Sequence, residues 1–154
     1  MYKKILVPLD GSRSGGKAVD HAIEIAKKFD GQVMLLRVAP PAHIPAAQMG
    51  APGSVALYEM AADAADIEHS IDVKRARNQL NARRRQLEAD GITATAQVIT
   101  GDPASLIKKF AKQEKADLIV MSTRGRSGIT RAFLGSVADD VVRSGIAPVL
   151  LIRR

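Results

Sequence analysis

The 154-residue chain contains no cysteine, which excludes thiolate metal sites, disulfide frameworks and a cysteine nucleophile together. It has no tryptophan and only 3% aromatic residues, so nucleic-acid bases would find little to stack on. No apolar run approaches the roughly 20 residues of a membrane-spanning helix, and Met1 to Lys4 lead straight into a strand-like run. A cytoplasmic protein with no membrane partner is therefore expected. What is present is an ordinary globular composition, 46% apolar and 25% charged, with enough apolar material for a core. The length suits one domain spanning 1–154.

Lys and Arg outnumber Asp and Glu 23 to 16, a net charge of +7, but the charges are segregated rather than spread. Between Val55 and Val73 lie Glu59, Asp63, Asp66, Glu68 and Asp72 with no Lys or Arg; between Lys74 and Arg85 lie Lys74, Arg75, Arg77, Arg83, Arg84 and Arg85 with no acid. On one helix this order complements the backbone dipole, acids first and bases last. A solvated helix face is the preferred reading of the basic run, with a patch for an anionic partner as the alternative. Nucleic acid is not an expected partner.

Apolar runs and turn residues alternate along the chain. Ile5–Leu9 reads as a buried strand, followed by Asp10, Gly11 and a helix capped by Ser12 or Ser14, with Val19, Ala22, Ile23 and Ala26 inward and Gly31 as its stop. Gln32–Val38 is a second strand. Residues 40–54, with four prolines and two glycines, form an irregular linker. Residues 55–89 lack both Gly and Pro, and Val73, Ala76, Leu80 and Leu87 fall on one helical stripe. A straight helix of that length would measure about 52 Å, longer than the roughly 40 Å diameter of a domain this size. It should break or project, and a break between Ala61 and Glu68 is expected.

Ile92–Val98 alternates apolar and polar residues, as an edge strand with one wet face would. Asp102-Pro103 opens a helix to about Lys115; Asp117–Met121 is another apolar strand; Ser122–Leu134 is a loop. A helix over Ser136–Ser144 stops at Gly145, and Val149–Ile152 is the last strand. Five strands alternating with four helical regions predict an α/β fold, an open doubly wound parallel sheet with helices on both faces. Ligands of such sheets bind beyond the carboxyl ends of the strands, where the strand order reverses.

Two glycine-bearing loops follow strands. Gly11-Ser12-Arg13-Ser14-Gly15-Gly16-Lys17-Ala18 approaches a P-loop, but Ala18 stands where the magnesium-binding hydroxyl belongs, so a plain helix start is the preferred reading. The second, Met121 to Ser136, carries three glycines and three arginines and ends in Gly135-Ser136 at a helix N-terminus, a ready site for anionic oxygens. Asp139 and Asp140 follow in the first turns and read as surface acids, not a catalytic pair. His21, His43 and His69 share no metal-binding spacing, and no base or nucleophile is evident. No catalytic or metal-binding residue is nominated.

The chain resembles the universal stress protein (UspA-like) family. The resemblance rests on Val7-Pro8-Leu9-Asp10-Gly11-Ser12, Gly101-Asp102-Pro103, Gly135-Ser136-Val137 and Ala147-Pro148-Val149-Leu150-Leu151-Ile152. ATP-binding members carry Gly, two residues, Gly, nine residues, Gly and Ser or Thr. Here the stretch reads Ser122, two residues, Gly125, nine residues, Gly135, Ser136. The resemblance implies strand order 3-2-1-4-5 and an adenine nucleotide at the switch point between the first and fourth strands. Asp10 and Val38 would face adenine and ribose, with Pro8 and Met121 flanking. Arg124, Gly125, Gly135, Ser136 and Val137 would serve the phosphates, with Ser122 replacing the first glycine. The implied ligand is ATP, with AMP or ADP as alternative bound forms and magnesium accompanying ATP.

The expected function is that of a stress-response sensor or switch with at most slow ATP hydrolysis. The competing reading is a nucleotide-independent dimeric interaction module, for which Ser122 is the best support. A KH-type RNA loop at Gly125–Gly128 is disfavoured because a strand, not a helix, precedes it. A homodimer through Val149, Leu150, Leu151 and Ile152, an unbroken apolar run on an expected sheet edge, completes the expectations, together with a protein partner of unspecified kind.

Overall fold

The computed structural model describes residues 1–12, 15–42, 55–123 and 135–153, with backbone only over 55–61. The elements in chain order are β1 (Lys4–Leu9), α1 (Gly15–Phe29), β2 (Gln32–Ala39), α2 (Val55–Ala89), β3 (Ala94–Thr100), α3 (Pro103–Glu114), β4 (Leu118–Thr123), α4 (Ser136–Arg143) and β5 (Val149–Arg153). The five strands form one all-parallel sheet in the order β3-β2-β1-β4-β5, as expected.

The sheet separates two cores. On one face Ile5, Val7, Val33, Leu35, Leu118 and Val120 pack with Val19 and Ala22 of α1 and Leu80 and Leu87 of α2. On the other, Leu6, Met34, Leu36, Ile119 and Met121 pack with Ile107 and Phe110 of α3 and Val141 of α4. Alternate residues of β1, β2 and β4 thus feed opposite layers, which is why these strands are apolar throughout. A fully buried Val, Leu or Ile contributes about 1.5–3 kcal/mol.

β3 is an edge strand, as its alternation predicts: Ala94 is buried while Thr95 and Gln97 are exposed. Where the strand order reverses, Asp117 ties β1 to β4. Its carboxylate accepts from the amides of Lys3 at 2.8 Å and Lys4 at 3.2 Å, and its own amide donates to the Lys4 carbonyl at 3.0 Å.

Two expectations are corrected. The helix expected to break between Ala61 and Glu68 is continuous over Val55–Ala89. No Gly or Pro interrupts its hydrogen-bond ladder, and the acid-to-base order favours the axis as a whole. It projects instead. Ala76, Leu80 and Leu87 are buried, and His69 Nε2 lies 3.4 Å from Thr100 Oγ1 at the end of β3, so residues 55–68, about 21 Å of helix, run on past that strand. The loop expected over Ser122–Leu134 does not hold at its first two residues, because Ser122 and Thr123 continue β4 opposite Ile152 and Arg153; the rest of it lies outside the described residues.

The Gly101-Asp102-Pro103 signal is realised as read. Asp102 accepts from the Ser105 amide at 2.8 Å, with Pro103 at the start of α3. That backbone hydrogen bond, first among the causes, lowers the Asp102 carboxyl below its usual range. A lowered folded-state value means that the stabilisation is complete above the ordinary carboxylate pKa and fades as pH falls through the folded one. Asp102→Ala should therefore lower Tm at neutral pH, and the gap to the parent should close in strong acid. Circular dichroism melts of both proteins across the acid range check this; a gap independent of pH would contradict it.

Candidate functional site

The strand-order reversal leaves a cleft of about 370 Å³ at the carboxyl ends of β1 and β4, within the roughly 300–1,000 Å³ of small-molecule sites. Its floor is apolar core: Leu36 of β2, Ile107 of α3, Met121 of β4 and Ala138 of α4 are all buried. Pro8 and Val38 continue that face outward. The polar rim is formed by Asp10, Ser122 and Ser136, with the backbone of Gly135–Ala138 closing one end.

Helix α4 enters this cleft uncapped. Gly135 occupies its N-cap, no side chain caps the helix among the described residues, and the first backbone hydrogen bond closing the turn runs from the Asp139 amide to the Gly135 carbonyl at 2.9 Å. The amides of Ser136, Val137 and Ala138 precede that bond and have no intrahelical acceptor. They carry the partial positive charge of the helix terminus into an apolar-floored cleft, where an anionic oxygen would be stabilised. Gly135 has φ +82°, and among the described residues a Cβ there would meet no neighbour, so the backbone conformation calls for glycine.

The acids of α4 are engaged by neighbouring cations. Asp139 pairs with Arg143 at 2.8 Å, and Asp140 with Lys108 of α3 at 3.0 Å. The hydrogen bond from Arg143 to Asp139 and the attraction between them raise the arginine pKa. As read from the sequence, they are surface acids, and their charge is locally neutralised.

Eight of the ten expected site residues, Pro8, Asp10, Val38, Met121, Ser122, Gly135, Ser136 and Val137, line this one cleft. Arg124 and Gly125, with the rest of the arginine-bearing loop, lie outside the described residues. Sequence reasoning missed Leu9, Leu36, Pro103, Ile107 and Ala138. Leu36 was within reach, since it precedes Val38 by two on the same strand face; the α3 and α4 walls depend on helix packing.

Asp10 also forms a local turn, accepting from the Ser12 amide at 2.9 Å, so the Asx-type turn and the position on the cleft rim coexist. The loop that approaches a P-loop borders a different cavity, of about 160 Å³, on the opposite face. There Gly11, at φ +78°, lies under the Arg37 guanidinium, and a Cβ would stand 2.0 Å from Nη1. That cavity is below the size of nucleotide sites and Arg37 is among its lining residues, which favours the plain helix start. Arg13 and Ser14 lie outside the described residues.

Comparison with known proteins decides the family. A sequence model of the universal stress protein family matches residues 1–153. The chain belongs to the universal stress protein family. Universal stress protein MJ0531 of Methanocaldococcus jannaschii is 35% identical over the whole chain and 84% of the relative. The solved structure of MJ0577, from the same organism, superposes with a TM-score of 0.76 at 27% identity, covering 100% of this chain and 97% of that one. An Arabidopsis thaliana universal stress protein family structure, At3g01520 with AMP bound, shares the fold at TM-score 0.60 and 20% identity, covering 99% and 92%. Among the described residues of this family member no helix is long and apolar enough to cross a membrane.

At Gly135, with φ +82° and ψ +142°, an alanine would carry backbone strain of about 1–3 kcal/mol. Urea unfolding of Gly135→Ala should show that loss of stability; an unchanged unfolding midpoint would contradict the need for glycine at this N-cap.

Proposed function

We propose that the cleft holds an adenine nucleotide, ATP in the active form with AMP or ADP as alternative bound forms, and that the protein acts as a stress-response sensor or switch. The observation that carries this reading is the uncapped N-terminus of α4 opening onto an apolar-floored cleft of about 370 Å³. The residues fit the ligand's two ends. The base needs flat apolar walls, which Pro8, Val38 and Met121 offer, and the ribose hydroxyls need an acceptor, which Asp10 supplies. The phosphates need amides and a hydroxyl, which Gly135, Ser136 and Val137 present. Arg124 and Gly125 belong to the same phosphate end in this reading. The AMP-bound relative of the same fold supports the adenine assignment.

Magnesium would arrive with ATP and be carried mainly by the phosphates, Asp10 being the one carboxylate among the lining residues. The described lining residues bind and orient; none of their side chains is arranged as a nucleophile with its base. Hydrolysis in this reading is at most slow, and the output is a conformational or partner-binding state.

The same reading makes the protein a homodimer. β5 bonds to β4 on one side only, and Val149, Leu150 and Leu151 are half-buried at that open edge. A second copy would pair there and cover them. Sedimentation should show self-association at micromolar concentration, and a monomer would overturn this part.

Calorimetric titration of ATP tests the nucleotide assignment. Saturable binding is expected, with Ser136→Ala weakening it about tenfold through loss of a hydrogen bond to a charged oxygen. Val38→Trp should abolish binding by filling the cleft while leaving the melt intact. Absence of binding at millimolar ATP would overturn the reading and leave the nucleotide-independent interaction module.

A further inference from the structure

The outer face of α2 has no role in the cleft or at the β5 edge. The helix packs on β2 and β3 through a stripe made by His69, Val73, Ala76, Leu80 and Leu87, all buried or half-buried. An outward stripe about a third of a turn round the helix from it, at the same three-and-four spacing, is formed by Asp63, Asp66, Ile67, Ser70, Ile71, Lys74 and Arg77, and every one of these is exposed. Ile67 and Ile71 are 62% and 52% exposed, the two most exposed large apolar residues of the described chain after Met1. Surface isoleucines are unremarkable singly, but these two are one turn apart, with acids on one side along the axis and bases on the other.

The ion pairs of α2 sharpen the picture. Asp72 pairs with Arg75, Arg83 with Asp20 and Arg84 with Glu88, all off this outer stripe or at its margin. Asp63, Asp66, Lys74 and Arg77 make no ion pair among the described residues. A helix that is negative before its apolar pair and positive after it is complementary to itself when reversed.

We infer that α2 is a second self-association surface, on which two copies of this chain pair their outer faces antiparallel about a twofold axis at Ser70. In that register Asp66 faces Lys74 of the other copy and Asp63 faces Arg77, each pair occurring twice by symmetry, while Ile67 and Ile71 of the two copies gather along one flank of the seam. Parallel pairing would instead oppose acid to acid and base to base. The length of the helix serves this arrangement, since residues 55–68 run past β3 and hold the acidic half clear of the domain's own sheet. The surface is independent of the nucleotide reading, and lies at the edge of the sheet opposite β5.

The absence of native cysteine makes cross-linking of the full-length protein decisive. Ser70→Cys, on the axis, should form an interchain disulfide under mild oxidation. Arg85→Cys should not, because the antiparallel register separates the two copies of that residue by about 45 Å. Ile67→Glu with Ile71→Glu should suppress the Ser70→Cys cross-link and raise the dissociation constant of this contact about tenfold or more, while association through β5 persists. Asp66→Lys and Lys74→Asp should each weaken cross-linking, and their combination should restore it. Failure of Ser70→Cys to cross-link, equal cross-linking at both positions, or no recovery in the charge-swapped double variant would each overturn the proposal. Unchanged circular dichroism confirms that these exposed substitutions leave the fold in place.

Discussion

The reversal of strand order between β1 and β4 is the constraint on which the rest of the structure depends. Helices α1 and α2 return over one face and α3 and α4 over the other, so the crossovers diverge where the direction changes and leave an opening at the carboxyl ends. Asp117 fixes this junction by binding the amides at the start of β1 from the start of β4. The opening is thus a consequence of topology, and the local sequence decides only what lines it. Apolar strand residues furnish the floor, and a glycine at positive φ delivers the α4 terminus without a capping side chain.

Electrostatics at this terminus follow from the same economy of placement. Two aspartates in the first turns of α4 would compete with an incoming anion, yet each is engaged by a cation directed elsewhere, Asp139 by Arg143 and Asp140 by Lys108. Exposed pairs of this kind contribute only about 0–1 kcal/mol to stability. Their consequence lies in the field at the cleft, where the amide dipoles stand with less opposition.

Much of the fold was legible because its signals are local. Continuous apolar runs marked the buried strands, the alternation over Ile92–Val98 marked the edge, and Asp102-Pro103 marked the start of α3. The errors arose where local signals were silent or ambiguous. Ser122 and Thr123 are polar and follow an apolar run, so they resemble a loop, but pairing with Ile152 and Arg153 keeps them in β4. The expected break in α2 came from comparing its length with the size of a domain, which assumes that a helix must stay within its own domain. Its uninterrupted sequence carried the correct answer.

The site divides in the same way. Residues at strand ends and at the helix start could be assembled from sequence because parallel sheets fix where such ends meet, and eight of them line one cleft. The α3 and α4 walls, and the packing of Arg37 on Gly11, depend on side chains far apart in sequence and carry no local mark.

The central claim is that uncapped main-chain amides at the start of α4 receive anionic phosphate. Amide chemical shifts recorded by nuclear magnetic resonance during an ATP titration test it most directly. The account predicts that the Ser136 and Val137 amides shift most and saturate together, while those of Gly15 and Gly16 beside the smaller cavity stay in place. Shifts centred on Gly15 and Gly16, or none at α4 under saturating ATP, would contradict it.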